Sequence, residues 1–351
     1  MVKCFGKRFP ARPATQFRMS QTEVTILREL LASESGYVSG NKLAKQLGLS
    51  RVAVWMQLQK LTKQGFAFEA ARSRGYRLVQ FPPQLHQALI QAHLAARAKP
   101  PQLVTLERVD STNTEAGRHL AAGSRTPLVI LAREQTQGRG RRGRVWHSPP
   151  SGNLYATFVF RPRLEPARLQ DFTLWMGLNT CELISNFCGI EPGIKWPNDV
   201  FIQGRKAGGM LTEARIDADE VHDLVFGLGL NLNGRSAELP KELQKSAISL
   251  AEAAGAPVDI NRFAAALIGR VLTACNRFVE DDYRDKFTEL WQRFDVLRGR
   301  PVAVTQGDRT IPGTAMGIDA EGSLLVRTEA GRMERFRAGE VTLSRDPAPA
   351  G

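Results

Sequence analysis

Between Arg133 and Trp146 the chain reads Arg-Glu-Gln-Thr-Gln-Gly-Arg-Gly-Arg-Arg-Gly-Arg-Val-Trp, five arginines and three glycines in fourteen positions. Glycine loses more backbone entropy on folding than any other residue, so Gly138, Gly140 and Gly143 describe a loop that moves or lets a ligand approach the backbone. Arginine stays protonated and presents a planar fork of donors matched to phosphate and carboxylate oxygens, which suits such a loop to close over an acyl-phosphate group. The Gly-x-x-x-x-Gly-Lys-Ser/Thr pattern of a Walker loop is absent. A disordered basic tether for nucleic acid is the competing reading. The flanks oppose it: 129–132 and 153–160 are apolar runs bounded by Gly and Pro, as buried strands are, and a tether has no need of a strand at each end.

A length of 351 residues accommodates two or three domains, and 42% hydrophobic composition gives each of them material for a core. The net charge of +13 implies attraction to polyanions without saying which. Cys4, Cys181, Cys188 and Cys275 form no Cys-x-x-Cys pair and no His/Cys cluster at metal-ligand spacing, which fits a reduced cytosol; Cys181 and Cys188 read as small core hydrophobes. No apolar run reaches membrane-spanning length. Residues 1–18 carry Lys3, Lys7, Arg8, Arg12 and Arg18 and no acid, but no apolar signal core, so they read as an extended start rather than an export signal.

From Gln21 the positions Val24, Leu27, Leu30 and Leu31 keep helical spacing. Ser39 is placed to cap a second helix carrying Leu43 and Leu47, Gly48 to turn the chain, and Ser50 to cap a third carrying Val52, Val54, Leu58 and Leu61. Runs at 66–69 and 76–79 flank the basic tip Arg72-Ser73-Arg74-Gly75 as a two-stranded wing. Together these resemble a winged helix-turn-helix, with Ser50, Arg51, Gln57 and Lys60 of the third helix directed at bases and phosphates and Arg72 and Arg74 at the backbone. Trp55 and Met56 are apolar exceptions on that helix, placed to touch thymine methyls. A domain that no longer binds DNA, or contacts only protein, is the alternative. Pro82-Pro83 and Pro100-Pro101 bracket a helix-like 85–96 read as a linker, strands and helices mix from Leu103 to about Phe294, and short strands with turns follow at 301–304, 310–316, 322–326 and 335–341.

The unbroken Gly-Arg-Gly-Arg-Arg-Gly-Arg-x-Trp core from Gly138 to Trp146 resembles the ligand loop of bacterial biotin protein ligases. Asp110-Ser111-Thr112-Asn113 upstream, and Lys195-Trp196-Pro197-Asn198-Asp199 and Arg205-Lys206-Ala207-Gly208-Gly209 downstream, follow in that family's order and at about its spacings. The resemblance, to the bifunctional members that also repress transcription, implies an α+β multidomain fold. Its expected parts are a basic flexible extension (1–20), a winged helix-turn-helix (21–81), a linker (82–101), a mixed-sheet α/β catalytic domain of class II synthetase type (102–295), an SH3-like barrel (296–346) and a frayed tail (347–351). It further implies ATP and Mg²⁺ as cofactors, biotin as substrate, the biotin carboxyl carrier protein of acetyl-CoA carboxylase as acceptor, operator DNA and a ligand-induced homodimer as partners, and no membrane.

In that chemistry a carboxylate attacks an anionic phosphate, so fixed cations have to offset repulsion; the resemblance assigns this to Lys206, Arg139, Arg141 and Arg142. It places biotin against Ser111, Thr112, Asn113, Gln135, Gly138, Arg139, Gly140, Arg141, Lys206, Gly209, Gly227 and Gly229. A ureido ring with donors and acceptors suits the polar members, although Ser-Thr-Asn is also an ordinary helix cap. ATP is assigned to Arg141, Arg142, Trp146, Asn198, Asp199, Lys206 and Asn231. Asn198 and Asp199 orient triphosphate and Mg²⁺, with Asp199 the metal ligand, or else form a structural Asx turn; Trp146 stacks on or shields adenine, or else packs in the core. The alternatives to a ligase and repressor are a ligase whose amino-terminal domain does not bind DNA, and a lipoate or octanoate transferase of related fold.

Overall fold

The computed structural model describes residues 20–33, 36–95, 100–150 and 152–343. The extension expected over 1–20, apart from Ser20, the tail over 347–351 and Cys4 lie outside the described residues. Helices α1 (Gln21–Ala32), α2 (Gly40–Leu47) and α3 (Arg51–Lys63) each start at a serine whose hydroxyl accepts a backbone hydrogen bond, Ser20 from Thr22, Ser39 from Lys42 and Ser50 from Ala53. Their inner stripes, Val24, Leu27 and Leu30, Leu43, and Val54, Leu58 and Leu61, meet in one buried cluster. Strands β1 (Ala67–Ala71) and β2 (Gly75–Gln80) pair antiparallel as the wing. Gly75 has φ +104°, and a Cβ there would stand 2.1 Å from the Val38 carbonyl oxygen, so only glycine lets β2 close against the helices.

The helix expected over 85–96 is present, and it packs against two cores. Within 82–101 the chain forms helix α4 (Gln87–His93), whose Ala88, Leu89 and Ala92 belong to the amino-terminal cluster while Leu85 and Ile90 belong to the main core. The prolines mark breaks, but a segment apolar on two faces is riveted between two cores instead of spanning solvent. Asn261, 1% exposed, completes the joint: its Oδ1 accepts from the His86 amide at 2.7 Å and its Nδ2 donates to the Gln84 carbonyl at 3.0 Å.

Strand β3 (Gln102–Val109), helix α5 (Thr112–Ala121) and strands β4 (Leu128–Gln135) and β5 (Leu154–Phe160) open the central unit. Helix α6 (Leu169–Cys188), strands β6 (Pro192–Lys195), β7 (Asp199–Ile202), β8 (Arg205–Asp217) and β9 (Glu220–Leu230), and helices α7 (Lys241–Gln244), α8 (Leu250–Ala254), α9 (Ile260–Val279) and α10 (Arg284–Phe294) follow. The seven strands lie in the order β3-β4-β5-β9-β8-β7-β6, parallel between β3 and β4 and antiparallel elsewhere. Alternation sorts β4 onto two faces: Val129 and Leu131 join the core under α6 and α9, and Leu128, Ile130 and Ala132 join a smaller one under α5. Cys181 and Cys275 are buried free thiols in the larger core, as expected of Cys181.

The last unit is a five-stranded antiparallel sheet ordered β13-β12-β11-β10-β14, from β10 (Pro301–Gln306), β11 (Arg309–Ile318), β12 (Leu324–Thr328), β13 (Met333–Phe336) and β14 (Glu340–Leu343). The single strand expected at 335–341 is two strands, because the chain crosses there from one edge of the sheet to the other. The Trp196 indole Nε1 donates to the Gly322 carbonyl at 2.9 Å and ties this sheet to the central unit. Among the described residues no helix is long and apolar enough to cross a membrane.

Asn261→Ala leaves the His86 amide and the Gln84 carbonyl without their partner and is expected to cost about 1–3 kcal/mol. Calorimetry is expected to show the amino-terminal unit melting ahead of the rest. One unshifted transition would show that the joint does not depend on Asn261.

Candidate active site

Strands β8 and β9 are bare at their centre. Gly209 pairs with Gly229, and Gly227 lies two residues before Gly229 on the same face. A Cβ on Gly229 would stand 2.6 Å from the Trp146 indole, and one on Gly227 would stand 2.2 Å from the Asn113 Oδ1. These glycines therefore make a floor that a flat group can lie on.

Over the floor runs the connection from β4 to β5, and its Arg-Gly stretch is an ordered hairpin. The Gly140 amide donates to the Arg144 carbonyl at 2.8 Å and the Trp146 amide to the Gly138 carbonyl at 2.9 Å. Gly138 serves this closure, since a Cβ there would stand 2.3 Å from the Trp146 carbonyl oxygen. Arg142 sits at φ 56°, which re-aims the tip.

Floor and hairpin enclose a cavity of about 300 Å³. Its polar end holds Ser111, Thr112, Asn113 and Gln135 at the start of α5 and the end of β4. Ser111 occupies the helix N-cap position, yet its hydroxyl makes no capping bond. Thr112 donates from its amide and hydroxyl to the Gln135 Oε1 at 2.9 and 3.0 Å. Asn113 donates to Glu213 at 3.0 Å and accepts from Thr157 at 2.7 Å, so its amide orientation is fixed.

The other end is basic. Arg139, Arg141, Arg142, Arg144, Lys195 and Lys206 line it, against Asp199 and Glu340. Each cation has a resting partner or is desolvated. Arg139 makes a two-pronged pair with Glu213 at 2.6 and 3.2 Å, and Lys206 Nζ lies 2.7 Å from Asp199 and 5.3 Å from the Trp146 ring centre. Arg144 and Arg142 reach Glu340 of β14, which brings the terminal sheet to the cavity wall. Arg141 donates to Asn198 at 3.1 Å, and burial pushes its guanidinium below its ordinary pKa, as burial does to the Lys195 ammonium. Cations short of water and carboxylate are prepared to take up an anion.

Two of the expected residues are not brought to the cavity: Gly138 is turned into the hairpin, and Asn231 bonds the carbonyls of Lys206 and Ile248. Asn198 forms no Asx turn but donates to the Met210 carbonyl at 2.6 Å. Sequence reasoning missed Glu213, Lys195, Arg144 and Glu340. Lys195 and Arg144 stood inside the quoted motifs, whereas a lone glutamate on β8 or β14 carries no local signal. Among the described residues no group of three or more His, Cys, Asp or Glu is placed to hold a metal ion.

On the winged unit, Arg51, Lys60, Arg72 and Arg74 are exposed as expected, with Arg74 lying 4.0 Å from the Tyr37 ring centre. Ser50 is occupied as the cap of α3 and Gln57 is half-buried, its Oε1 turned from solvent. The outward positions include Val52, Trp55 and Met56 instead.

Comparison with known proteins locates these features. Residues 105–231 match the Biotin/lipoate A/B protein ligase family, 23–77 an HTH domain and 298–344 the Biotin protein ligase C terminal domain. The chain is 33% identical over 323 residues to the bifunctional ligase/repressor BirA of Bacillus subtilis, covering 90% of this chain and 98% of that one. It is 30% identical over 328 residues to the bifunctional ligase/repressor BirA of Escherichia coli, covering 93% and 98%. In three dimensions it is similar to a biotin protein ligase from Aquifex aeolicus in complex with biotin and ATP, with a TM-score of 0.59 and 29% identity over 70% of this chain and 99% of that one.

Gly229→Ala puts a methyl into the Trp146 ring and is expected to lift the hairpin. Trypsin cleavage within 139–144 should then accelerate several-fold relative to the parent. An unchanged digestion rate would mean that indole packing on the glycine floor does not hold the hairpin down.

Proposed function

The chain belongs to the biotin protein ligase family, and from that premise we infer that it joins biotin to ATP as biotinyl-5′-AMP, transfers the biotin to a lysine, and represses transcription. The observation that carries this reading is one cavity with an uncharged hydrogen-bonding end, a bare glycine floor and a basic end. It suits a ligand with a ureido head, a carboxylate at its middle and a nucleotide beyond. We assign the acceptor lysine to the biotin carboxyl carrier protein of acetyl-CoA carboxylase.

Ser111, Thr112, Asn113 and Gln135 supply donors and acceptors for the ureido ring, and Gly209, Gly227 and Gly229 admit the ring system. In the first step a carboxylate oxygen bonds to the α-phosphorus while the bond to pyrophosphate breaks. Lys206 leaves Asp199 to stabilise the charge between carboxylate and α-phosphate, and Arg139, Arg141 and Arg142 offset the repulsion. Trp146 moves off Gly229 to cover the adenine and keep water from the mixed anhydride. Asp199, once released by Lys206, would hold a Mg²⁺ ion, which would supply neutralisation of phosphate charge. In the second step the acceptor amine attacks the acyl carbon and AMP leaves.

The reading divides the chain into a winged helix-turn-helix over 21–81, a catalytic domain over 102–295 and an SH3-like domain over 296–346. It pairs two copies to read the half-sites of an operator. The lipoate or octanoate alternative sets an aliphatic chain against this polar end, where the Ser111 hydroxyl, which makes no capping bond, would find no partner on it. Incubation with ATP and either biotin or lipoate, followed by mass spectrometry of the acyl-adenylate, separates the two. Biotinyl-adenylate is expected, and lipoyl-adenylate alone would overturn the assignment.

Lys206→Ala is expected to slow adenylate formation in a single turnover by about 10²–10³-fold, since a cation acting in the transition state is lost. Arg141→Ala is expected instead to shorten the lifetime of the bound adenylate, because it removes a lid contact. An Arg141→Ala enzyme that retains its adenylate as long as the parent would rule out the lid role.

A further inference from the structure

Helix α3 already buries its inner face, Val54, Leu58 and Leu61, in the amino-terminal core. On its outer face Val52, Trp55 and Met56 are 67%, 51% and 53% exposed. Their spacing of three and four residues makes them one continuous patch on the helix surface. An exposed cluster of this kind marks a contact surface rather than an accident of composition. Its surroundings indicate what covers it. Arg51, one residue before Val52, and Lys60, one turn beyond Met56, are exposed, and so is Arg72 at the wing tip. Such a rim complements the phosphates of a duplex rather than an apolar protein face.

Within a major groove the edges of the bases offer donors and acceptors at every position except one kind, the thymine C5-methyl group. Gln57, the amide side chain suited to a bidentate contact with adenine, is half-buried with its Oε1 turned inward. Beside the exposed Arg51 and Gln59, the outward face of α3 thus carries an apolar area that only a methyl-bearing base edge can match.

We propose that Val52, Trp55 and Met56 read operator DNA through thymine methyl groups, making this patch the specificity determinant of the winged unit. The proposal rests on the reading of that unit as DNA-binding, and names what it recognises. Each methyl buried against the patch contributes about fourfold in affinity, equivalent to about 0.8 kcal/mol.

The test begins by enriching duplexes from a random pool with the full chain in the presence of biotin, ATP and Mg²⁺. Binding of the winning duplex is then compared by fluorescence anisotropy with that of the same duplex carrying deoxyuridine for thymidine, one half-site position at a time. The expected result is a loss of about fourfold at two or three thymines of each half-site. Trp55→Ala, Val52→Ala and Met56→Ala should each make one or more of those positions indifferent to the methyl, with melting curves that match the parent. A winning duplex bound equally well with deoxyuridine throughout overturns the proposal and leaves DNA binding intact. Failure to enrich any sequence overturns the DNA reading itself. Variants that keep full methyl discrimination but lose self-association would assign the patch to a second copy of the chain, and also overturn it.

Discussion

A side chain on the exposed face of β8 or β9 at Gly209, Gly227 or Gly229 would occupy the space in which Asn113 and Trp146 now rest. The bareness of two paired strands thus creates the cavity, and the rest of the site is arranged by it. Asn113 comes within reach of Glu213 and Thr157 because nothing at 227 holds it away. The hairpin comes down because its terminal indole finds backbone rather than side chains. Burying an indole is worth a few kcal/mol, enough to hold a short hairpin closed yet small enough for a tightly bound ligand to displace.

A second layer of control is electrostatic. A cluster of cations this dense repels itself, and here the repulsion is relieved by carboxylates, Glu213 for Arg139 and Glu340 for Arg142 and Arg144 from distant parts of the chain, and Asp199 for Lys206 from the neighbouring strand. Such pairs keep the guanidinium and ammonium groups oriented before a ligand enters. A ligand that brings its own anions exchanges one partner for another, so little ordering is left to do at the moment of binding. Glu340 also gives the terminal sheet a direct hold on the hairpin, reinforced by the bond from Trp196 to Gly322. The last unit is thereby a wall of the site and not an appendage.

The same economy governs the amino-terminal joint. Helix α4 contributes to two cores at once, and Asn261 on α9 holds the chain that leads into it. His86 lies in this joint, half-buried, and desolvation holds it down to a pKa of about 4, with the Arg133 charge adding to the effect. Because its ordinary value is higher, the joint is favoured above about pH 6.5 and weakened as the pH falls towards 4. Position of the winged unit on the enzyme is accordingly a matter of packing and hydrogen bonding, rather than of tether length.

By itself the sequence determined what is local. Serine caps set the starts of α1, α2 and α3, the apolar runs on either side of the Arg-Gly stretch set two strands, and the motifs around Ser111, Gly138, Lys195 and Lys206 carried the chemistry. Each of these depends on neighbours a few residues away, which is the range over which propensity and capping act. Only the tertiary structure decided that Glu213 would fix Arg139 and Asn113, that Glu340 would grip the hairpin, and that Gln57 would turn in while Trp55 stayed out. It also decided that the glycine-rich stretch would be a closed hairpin and that the helix expected over 85–96 would be shared between two cores. The pairings of Glu213 with Arg139 and Asn113 and of Glu340 with Arg144 join residues 74, 100 and 196 positions apart, and periodicity carries no record of which charges and faces meet at such range.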